Sequence, residues 1–505
     1  MMYFKKGVLF LLTLTLLFTM IACGGEKDPA SQNSEVSANN TVEQTEEGPK
    51  YDSAGYLMDR LPELDHNDES VDVLYWADSV FPIVSKAESK RVMDQETFKK
   101  NSSAEERLHV KLNFIPTLGA YANRTAYLAH IENAYSSGLY YDIVCGQSRV
   151  YNAATYRGIM TNLLSIEDSY LDFEMPWWPK KLTETMTVGN SLYSLAGDIS
   201  VDYLGSIYGM FYNVDMLNYL GLEDPVQFVH DGSWTIEKLM EMTEGVYVDQ
   251  DYSSGKTSDD LYGLVIRYFG WNTFFIGSEM TILERDENNY LTLSEDYKAS
   301  SLKLADLLDR LSIYNDSDDC FSVGIDTGGV EPEMFRNRLA LFAQIQLRLA
   351  YYKIGGQTEF EYGVLPNPKY DTNQKEYITW GGYDATCWGI MKGHDQERMQ
   401  MCTAILEALA SKGYRTTTVF FYENTMQVKF SENQTVSDMF EMLRSNVFYD
   451  MGYAFDTSVW NGLNMGDLQM EAIYTDKGWA SEWESIKDGI YQCIDSINRA
   501  YGKPA

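Results

Sequence analysis

The stretch YYDIVCG, Tyr140–Gly146, is the third of three short apolar runs that are separated by helical patterns. The first run is VDVLYW at Val71–Trp76, and the second is VKLNFI at Val110–Ile115. A helical pattern over Lys86–Leu108 lies between these two. Strands that alternate with helices predict parallel pairing through helical crossovers. We therefore expect an α/β fold with a doubly wound parallel sheet in this part of the chain.

Two loops follow the predicted strands at one edge of this sheet. Trp76–Asp78 comes after the first strand, and Gly146–Ser148 comes after the third. In open sheets of this kind, ligands bind beyond the carboxyl ends of the strands. These two loops are therefore the first candidates for a ligand-binding site.

A second alternating region follows a change of pattern at Ser191–Asn213, where we place a crossing between two lobes. This region has a helix with Ser233 as its expected N-cap, a strand at Leu261–Ile266 and a helical stretch from about Asn272. Helical patterns dominate from Glu397 to the end. The sequence thus predicts two α/β lobes.

The first residues carry an export signal. Two lysines precede an apolar run at Gly7–Ile21, whose length of about fifteen residues is less than the roughly twenty that span a bilayer. The residues that end in Cys23 resemble the bacterial lipobox, in which this cysteine is diacylated; an ordinary signal peptide is the alternative. We expect a signal peptide over residues 1–22 and a lipid-anchored disordered tether over residues 23–50, which contain almost no large apolar residues.

The charge of the chain limits the classes of ligand. It has 40 basic and 74 acidic residues, for a formal net charge of −34. This charge repels phosphate backbones and anionic lipids, so we expect no nucleic-acid binding and no membrane contact except through the anchor. The same charge favours a neutral or cationic small ligand.

The sequence contains no motif of a known catalytic class. It has no H-E-x-x-H and no G-x-S-x-G, and Gln250 stands where a phosphate loop ending in the GKT of Gly255–Thr257 would need glycine. The five cysteines besides Cys23 form no C-x-x-C pair, which argues against a thiolate metal site. We predict that the protein is not an enzyme. A glycoside hydrolase remains the distant alternative, because it needs only two facing carboxylates.

Several segments, in their order and spacing, resemble extracellular solute-binding protein family 1, the carbohydrate-binding lipoproteins of bacterial ABC importers. These segments are DIVCGQS (142–148), RGIMTNLLSI (157–166), PWW (176–178), YSLAGDISVDYLGSIYGMFYNVDML (193–217), DGSWTIEKLMEM (231–242), ALFAQIQLRLAYY (340–352), YGVLPNPKY (362–370) and NVFYDMGYAF (446–455).

The resemblance implies a two-lobed periplasmic-binding-protein-like fold with the ligand in a cleft between discontinuous lobes. We assign residues 51–203 with 380–425 to lobe 1 and residues 204–379 with 426–505 to lobe 2. The resemblance also implies a monomer on the outer face of a Gram-positive cell membrane, with a carbohydrate ligand and ABC importer permease subunits as partners. A peptide or an amine is the alternative ligand.

A sugar-binding site needs aromatic platforms and planar hydrogen-bonding groups. Nine residues at the expected cleft positions meet this need: Trp76, Gln147, Ser148, Trp271, Gln346, Arg348, Trp380, Asp384 and Trp460. For each tryptophan the alternative is a core role, since the chain has ten of them, and for Arg348 it is an ordinary ion pair. Trp177 and Trp178, which lie between prolines, predict a fixed surface turn instead.

One acidic segment resembles a calcium-binding loop. Asp249, Asp251, Ser253 and Asp260 follow the oxygen-ligand spacing of an EF-hand, although Ser254 stands where that loop has glycine. Calcium is therefore a possible cofactor, and a plain acidic turn is the alternative. We expect no other cofactor.

Overall fold

Four strands form the first sheet of the computed structural model: β1 (Glu69–Trp76), β2 (Val110–Thr117), β3 (Ile143–Gln147) and β12 (Thr386–Ile390). β1 lies between β2 and β3 and pairs in parallel with both, as the alternating pattern predicts. β12 pairs antiparallel with β3, so the sheet is mixed and the prediction of a wholly parallel sheet was wrong at this edge.

Five strands form the second sheet: β4 (Tyr208–Asn213), β5 (Tyr262–Arg267), β8 (Cys320–Val323), β9 (Ala340–Gln346) and β10 (Tyr362–Leu365). Their order is β10, β4, β9, β5, β8, and only the pairs that involve β5 are parallel. Two small sheets complete the set, a hairpin of β6 (Leu283–Arg285) and β7 (Leu291–Leu293) and a parallel pair of β11 (Thr379–Trp380) and β13 (Val447–Phe448).

Helices cover the faces and edges of both sheets. They are α1 (Val92–Leu108), α2 (Arg124–Ser136), α3 (Ser148–Tyr156), α4 (Lys180–Met186), α5 (Asp202–Gly205), α6 (Val214–Leu220), α7 (Pro225–Asp231), α8 (Ile236–Thr243), α9 (Asn272–Gly277), α10 (Leu302–Asp316), α11 (Glu331–Arg336), α12 (Leu347–Lys353), α13 (Gln396–Arg415), α14 (Gln434–Ser445), α15 (Met451–Ala454), α16 (Met465–Tyr474) and α17 (Trp479–Ala500).

The structure describes residues 49–253, 255–324, 329–382, 385–422, 434–455, 463–475 and 478–504. The predicted signal peptide, the lipidation site Cys23 and most of the tether lie outside these residues. The chain from Pro49 onward forms one compact unit that contains both sheets. No helix in the described part of the chain is long and apolar enough to cross a membrane.

The chain passes between the sheets more than once. It leaves the first sheet after β3, builds the second from β4 onward and returns to the first at β12. β11 lies on this return path, and its partner β13 comes later in the chain, after β12. The residue bounds that we gave to the two lobes stay a prediction.

The N-cap of helix α8 differs from the one that we expected. Thr235, not Ser233, is its N-cap, because the Thr235 hydroxyl accepts the backbone N–H of Lys238 at 3.2 Å. Ser233 lies two residues earlier and donates to Asp231. A hydroxyl accepting an N–H of the first turn stabilises a helix start, and either residue type can do so. The sequence alone therefore does not choose between them.

Trp177 and Trp178 do not form a surface turn, as we had expected. Both are buried, and their indole N–H groups donate to Glu407 at 2.9 and 2.8 Å. The backbone N–H of Asp172 donates to the same carboxylate at 3.3 Å. Burial raises the pKa of Glu407 to about 8. The two rings thus anchor helix α13 to the segment that precedes α4.

Candidate functional site

Trp76 lies at the carboxyl end of β1, where the sequence predicts a ligand contact. Only 3% of it is exposed, and its indole N–H donates to the Thr386 hydroxyl at 3.3 Å. The Thr386 hydroxyl donates in turn to Asp202 at 2.7 Å. Trp76 therefore belongs to a buried polar chain that ties β1 to β12 and α5.

Gln147 and Ser148 follow at the carboxyl end of β3. Gln147 is buried at the end of the strand, and Ser148 is the half-buried first residue of α3. The backbone N–H of Ser148 donates to the carbonyl oxygen of Ala385 at 2.9 Å. This bond joins the edge of the first sheet to the returning chain just before β12.

Gln346 and Arg348 lie at the corresponding end of β9 in the second sheet. The Arg348 Nε–H donates to Gln346 Oε1 at 3.0 Å, and both residues are buried. Helix α12, which carries Arg348, packs closely on α5: a Cβ on Gly205 would lie 3.2 Å from Arg348 Cβ and 2.3 Å from the Phe81 ring. The lack of a side chain at Gly205 therefore allows α12 to pack closely against α5.

Trp271 is completely buried in the layer above the second sheet. Its indole N–H donates to the Tyr474 hydroxyl at 3.1 Å, and its ring lies 5.3 Å from that of Phe274. These contacts are those of a core residue, and the structure shows no exposed ring face at this position. Its role as a ligand contact stays a prediction.

Trp380 joins an aromatic cluster between the two sheets. Its ring stacks on Tyr208 with centroids 5.3 Å apart and packs against Tyr453 at 5.5 Å. Tyr208 is also the register partner of Gln346 across the β4–β9 pair. The cluster therefore places an aromatic stack beside the polar groups of the second sheet.

A cavity of about 30 Å³ lies beside this cluster. Ser148 and Asn152 of α3 line one side, and Trp380, Tyr449 and Tyr453 line the other. The volume is close to that of a single water molecule. In this structure the cavity is therefore too small to hold a sugar ring.

Buried ionisable groups fix the chain around the cavity. The Asp450 carboxylate accepts backbone N–H groups of Ile282, Leu283 and Gly452, and burial raises its pKa to about 6. Asp198 accepts the hydroxyls of Thr418 at 2.7 Å and Tyr203 at 3.0 Å, and burial raises its pKa to about 6 as well. These bonds rigidify the segments that pass between the sheets.

Two arginines at the same edge of the first sheet were not among the residues predicted from the sequence. Arg124 is the first residue of α2, and Arg149 is the second residue of α3. Each is half-buried, and Arg124 Nη1 and Arg149 Nε are hidden from solvent. A sequence signal existed, because a cation in the first turn opposes the helix dipole and so needs another reason to be there.

The acidic loop brings three of its predicted ligands together. Carboxylate oxygens of Asp249, Asp251 and Asp260 lie within 4.8 Å of one another. The Asp260 carboxylate already accepts backbone N–H groups of Gln250 and Thr257, and Asp251 accepts that of Ser253 at 2.7 Å. Because these hydrogen bonds alone stabilise the loop, calcium binding stays a prediction. Two further candidates, Asp384 and Trp460, lie outside the described residues.

No protein-family model matches the sequence, and no curated protein does. Solved structures do match. An ABC substrate-binding protein from Listeria monocytogenes, in complex with cycloalternan, is 14% identical, with 86% of this chain and 100% of that chain covered and a TM-score of 0.52. The sugar-binding protein MalE from Xanthomonas citri is 11% identical over 86% and 100%, with a TM-score of 0.55.

A third match is the galacto-N-biose/lacto-N-biose I-binding protein of an ABC transporter from Bifidobacterium longum, in complex with lacto-N-biose. It is 10% identical over 86% of this chain and 96% of that chain, with a TM-score of 0.52. The chain thus has the two-lobed α/β fold of these substrate-binding proteins, and the predicted fold class is confirmed.

Proposed function

We propose that the protein is a substrate-binding lipoprotein that captures a carbohydrate between its lobes and delivers it to an ABC importer permease. The observation that carries this function is the stack of Trp380 on Tyr208. Trp380 lines the cavity together with Ser148, which follows β3 of the first sheet, and Tyr208 is the register partner of Gln346 in the second sheet. An aromatic stack flanked by planar and hydroxyl groups suits the C–H faces and hydroxyls of a sugar.

The matched structures support a carbohydrate as the ligand. The three proteins named above are described as substrate-binding or sugar-binding proteins, two of them in complex with a carbohydrate. Closure of two lobes around such a ligand is the state that a permease can recognise, provided that the ligand contacts both lobes. We extend this scheme to the present chain as a monomer.

Binding without conversion is the function that the described cavity supports. Among the described residues that line the cavity, Asp450 is the one acidic residue, and its carboxylate accepts three backbone N–H groups. A glycoside hydrolase would need a second carboxylate across the scissile bond. We therefore rank the hydrolase below the binding protein.

The lipid anchor on Cys23 belongs to the same proposal. A binding protein with no enclosing compartment must stay near its permease, and a tether over residues 23–50 would raise its local concentration there. By random-coil scaling this tether spans roughly 30 Å. We place the protein on the extracytoplasmic face of the membrane. Labelling with fatty acid tests the anchor: the wild type should carry the label, and the Cys23→Ser variant should not.

Titration with a glycan panel tests the function. Tryptophan fluorescence and melting temperature should respond to at least one glycan, and a ligand at 100 times its dissociation constant should add about 2.7 kcal/mol of stability. Stabilisation by peptides or amines alone would contradict the carbohydrate ligand. Release of cleavage products from any bound glycan would instead indicate a hydrolase.

A further inference from the structure

The β6–β7 hairpin is fixed against the end of α4 by hydrogen bonds. The side-chain amide of Asn289, between the two strands of the hairpin, donates to the carbonyl oxygens of Thr187 at 3.3 Å and Gly189 at 3.1 Å. The backbone N–H of Gly189 donates in return to the carbonyl oxygen of Asn289 at 2.8 Å. The Arg285 guanidinium donates to the carbonyl oxygen of Thr185. These bonds hold two distant segments of the chain in a fixed relative position.

A cavity of about 420 Å³, which we call the hairpin cavity, lies between these segments. Helix α4 and the hairpin contribute to its wall, and so does the chain around β13. Tyr449 and Met451 line both this cavity and the central cavity of about 30 Å³ described above. The hairpin cavity is therefore a direct neighbour of the central one, and its volume lies within the roughly 300–1,000 Å³ of small-molecule sites.

The wall of the hairpin cavity offers both donors and acceptors of hydrogen bonds. Lys181 and Arg285 carry donors, the Glu184 carboxylate is an acceptor, and the Asn446 amide is both. Within the described part of the chain the side-chain amide of Asn446 makes no hydrogen bond, so it is available to a ligand. A sugar hydroxyl both donates and accepts. This mixed set therefore suits a carbohydrate better than it suits an ion of one sign.

The same wall carries an aromatic ring beside these polar groups. Phe448 is half-buried, and Ile378 and Val447 extend the apolar part of the wall. The β11–β13 pair fixes the backbone of Phe448, whose carbonyl oxygen accepts the N–H of Gly381 at 3.1 Å. An aromatic ring that is held in place can stack on the C–H face of a sugar. The hairpin cavity thus contains both kinds of group that a carbohydrate site requires.

We infer that the hairpin cavity is a carbohydrate subsite that holds one end of an oligosaccharide, whose other sugar residues continue past Tyr449 toward Trp380. This inference rests on the proposed function and extends it to the length of the ligand. The central cavity is too small for a sugar ring in this structure, whereas the hairpin cavity already has the volume and the lining of a ligand site. The hairpin cavity therefore binds the first sugar residues, and the central site adds contacts to a longer chain.

Chain length tests this inference with the purified full-length protein. The glycan of the panel that binds most tightly is supplied as a series that runs from its monosaccharide to longer linear oligosaccharides, and calorimetry measures each affinity. Affinity should rise at least tenfold along the series and then level off, when both subsites are filled. A monosaccharide that binds as tightly as the longest member overturns this inference but leaves carbohydrate binding intact. If no glycan of any length binds, the proposed function itself fails.

Two variants assign the binding energy to the hairpin cavity. Phe448→Ala removes the ring and should lower the affinity for the longest oligosaccharide at least fivefold. Asn446→Ala removes one amide and should lower it at least threefold, with the melting temperature of the unliganded protein unchanged.

The matched controls lie outside both cavities. Phe228 is a half-buried phenylalanine on α7, and Asn218 is an exposed asparagine on α6. Phe228→Ala and Asn218→Ala should leave the affinity for the longest oligosaccharide within twofold of the wild type. Unchanged affinity in both Phe448→Ala and Asn446→Ala, or losses that the controls reproduce, would overturn the inference even if the glycan series shows a dependence on length.

Discussion

The ring of Trp380 stacks on that of Tyr208 with centroids 5.3 Å apart and an angle of 6° between their planes. Trp380 lies on β11, in the chain that returns to the first sheet, and Tyr208 begins β4 of the second. The stack therefore connects the returning chain to the second sheet at the point where the cavity lies. A ligand that entered this cavity would contact Trp380.

Replacing the indole of Trp380 should weaken ligand binding more than it weakens folding. Trp380→Phe keeps an aromatic ring but reduces the stacking surface, and stacking of this kind is worth about 1 kcal/mol. We expect up to about a fivefold loss in glycan affinity, measured by fluorescence titration or calorimetry. Trp234→Phe is the control, because Trp234 is also fully buried but packs on Phe342 within the second sheet's layer. Equal losses of affinity in both variants would contradict this role.

The acidic loop makes a prediction about metal removal. If calcium bridges Asp249, Asp251 and Asp260, then EDTA should lower the melting temperature and added calcium should restore it. Asp251→Asn should abolish that response, because it removes one of three converging charges. Thr257 and Ser253 already bond the Asp251 carboxylate, so the apo loop should remain folded. A melting temperature that is the same with EDTA and with calcium would leave a plain acidic turn.

The Arg398–Asp142 pair should be important for the stability of the first lobe. Arg398 Nε and Nη2 donate to the two Asp142 oxygens at 2.6 and 2.7 Å, and Asp142 is buried beside β3. Arg398→Met leaves that carboxylate without its cation, and loss of one partner from a buried pair costs about 3 to 5 kcal/mol. Urea unfolding measures this loss.

The control for Arg398 is an exposed pair of the same chemistry. Arg499 and Asp495 face each other one turn apart on α17, with about half or more of each side chain exposed. Such pairs contribute only about 0 to 1 kcal/mol. Arg499→Met should therefore leave the unfolding midpoint almost unchanged. A comparable loss in both variants would show that burial does not decide the strength of the Arg398 pair.

The local parts of the fold could be predicted from the sequence. The runs that became β1, β2 and β3 are apolar, short and separated by helical patterns, so their type and pairing follow from periodicity. The antiparallel pairing of β12 with β3 was missed because it joins residues far apart in the chain. The contacts of Glu407 also join distant residues, because Trp177 and Trp178 lie about 230 residues before it. For this reason the sequence around the two tryptophans predicted a surface turn.

For the candidate site, too, local features could be predicted from the sequence and long-range contacts could not. The position of Gln147 and Ser148 at the edge of the first sheet could be predicted, because the end of a parallel strand is itself a local signal. For Trp76 and Trp271 the sequence left a ligand contact and a core role both open, since the choice depends on Thr386 and Tyr474, which reach them from distant segments.

The free energy of unfolding should depend on pH because Glu407 is buried. Its pKa in the folded state, about 8, lies above the ordinary glutamate value of 4.5 because burial disfavours the charged form. The folded state therefore holds a proton that the unfolded state has lost, and stability falls as pH rises from about 4.5 to about 8. Asp198 and Asp450 act in the same direction, but only up to about pH 6. Lys100, whose pKa burial lowers to about 8, acts in the opposite direction as the pH approaches 8. Measurements between pH 6.5 and 7.5 therefore report mainly on Glu407.

In that range the free energy of unfolding should fall with a slope of up to about 1.4 kcal/mol per pH unit for this one group. Glu407→Gln should flatten the slope, because the amide keeps an oxygen for an indole N–H and carries no titrating proton. Glu397→Gln is the control, since Glu397 is an exposed carboxylate on the same helix α13. Urea unfolding at several pH values checks both. If Glu407→Gln keeps the wild-type slope while Glu397→Gln does too, Glu407 is ionised in the folded protein, and the two indole N–H groups then outweigh the cost of burying its charge.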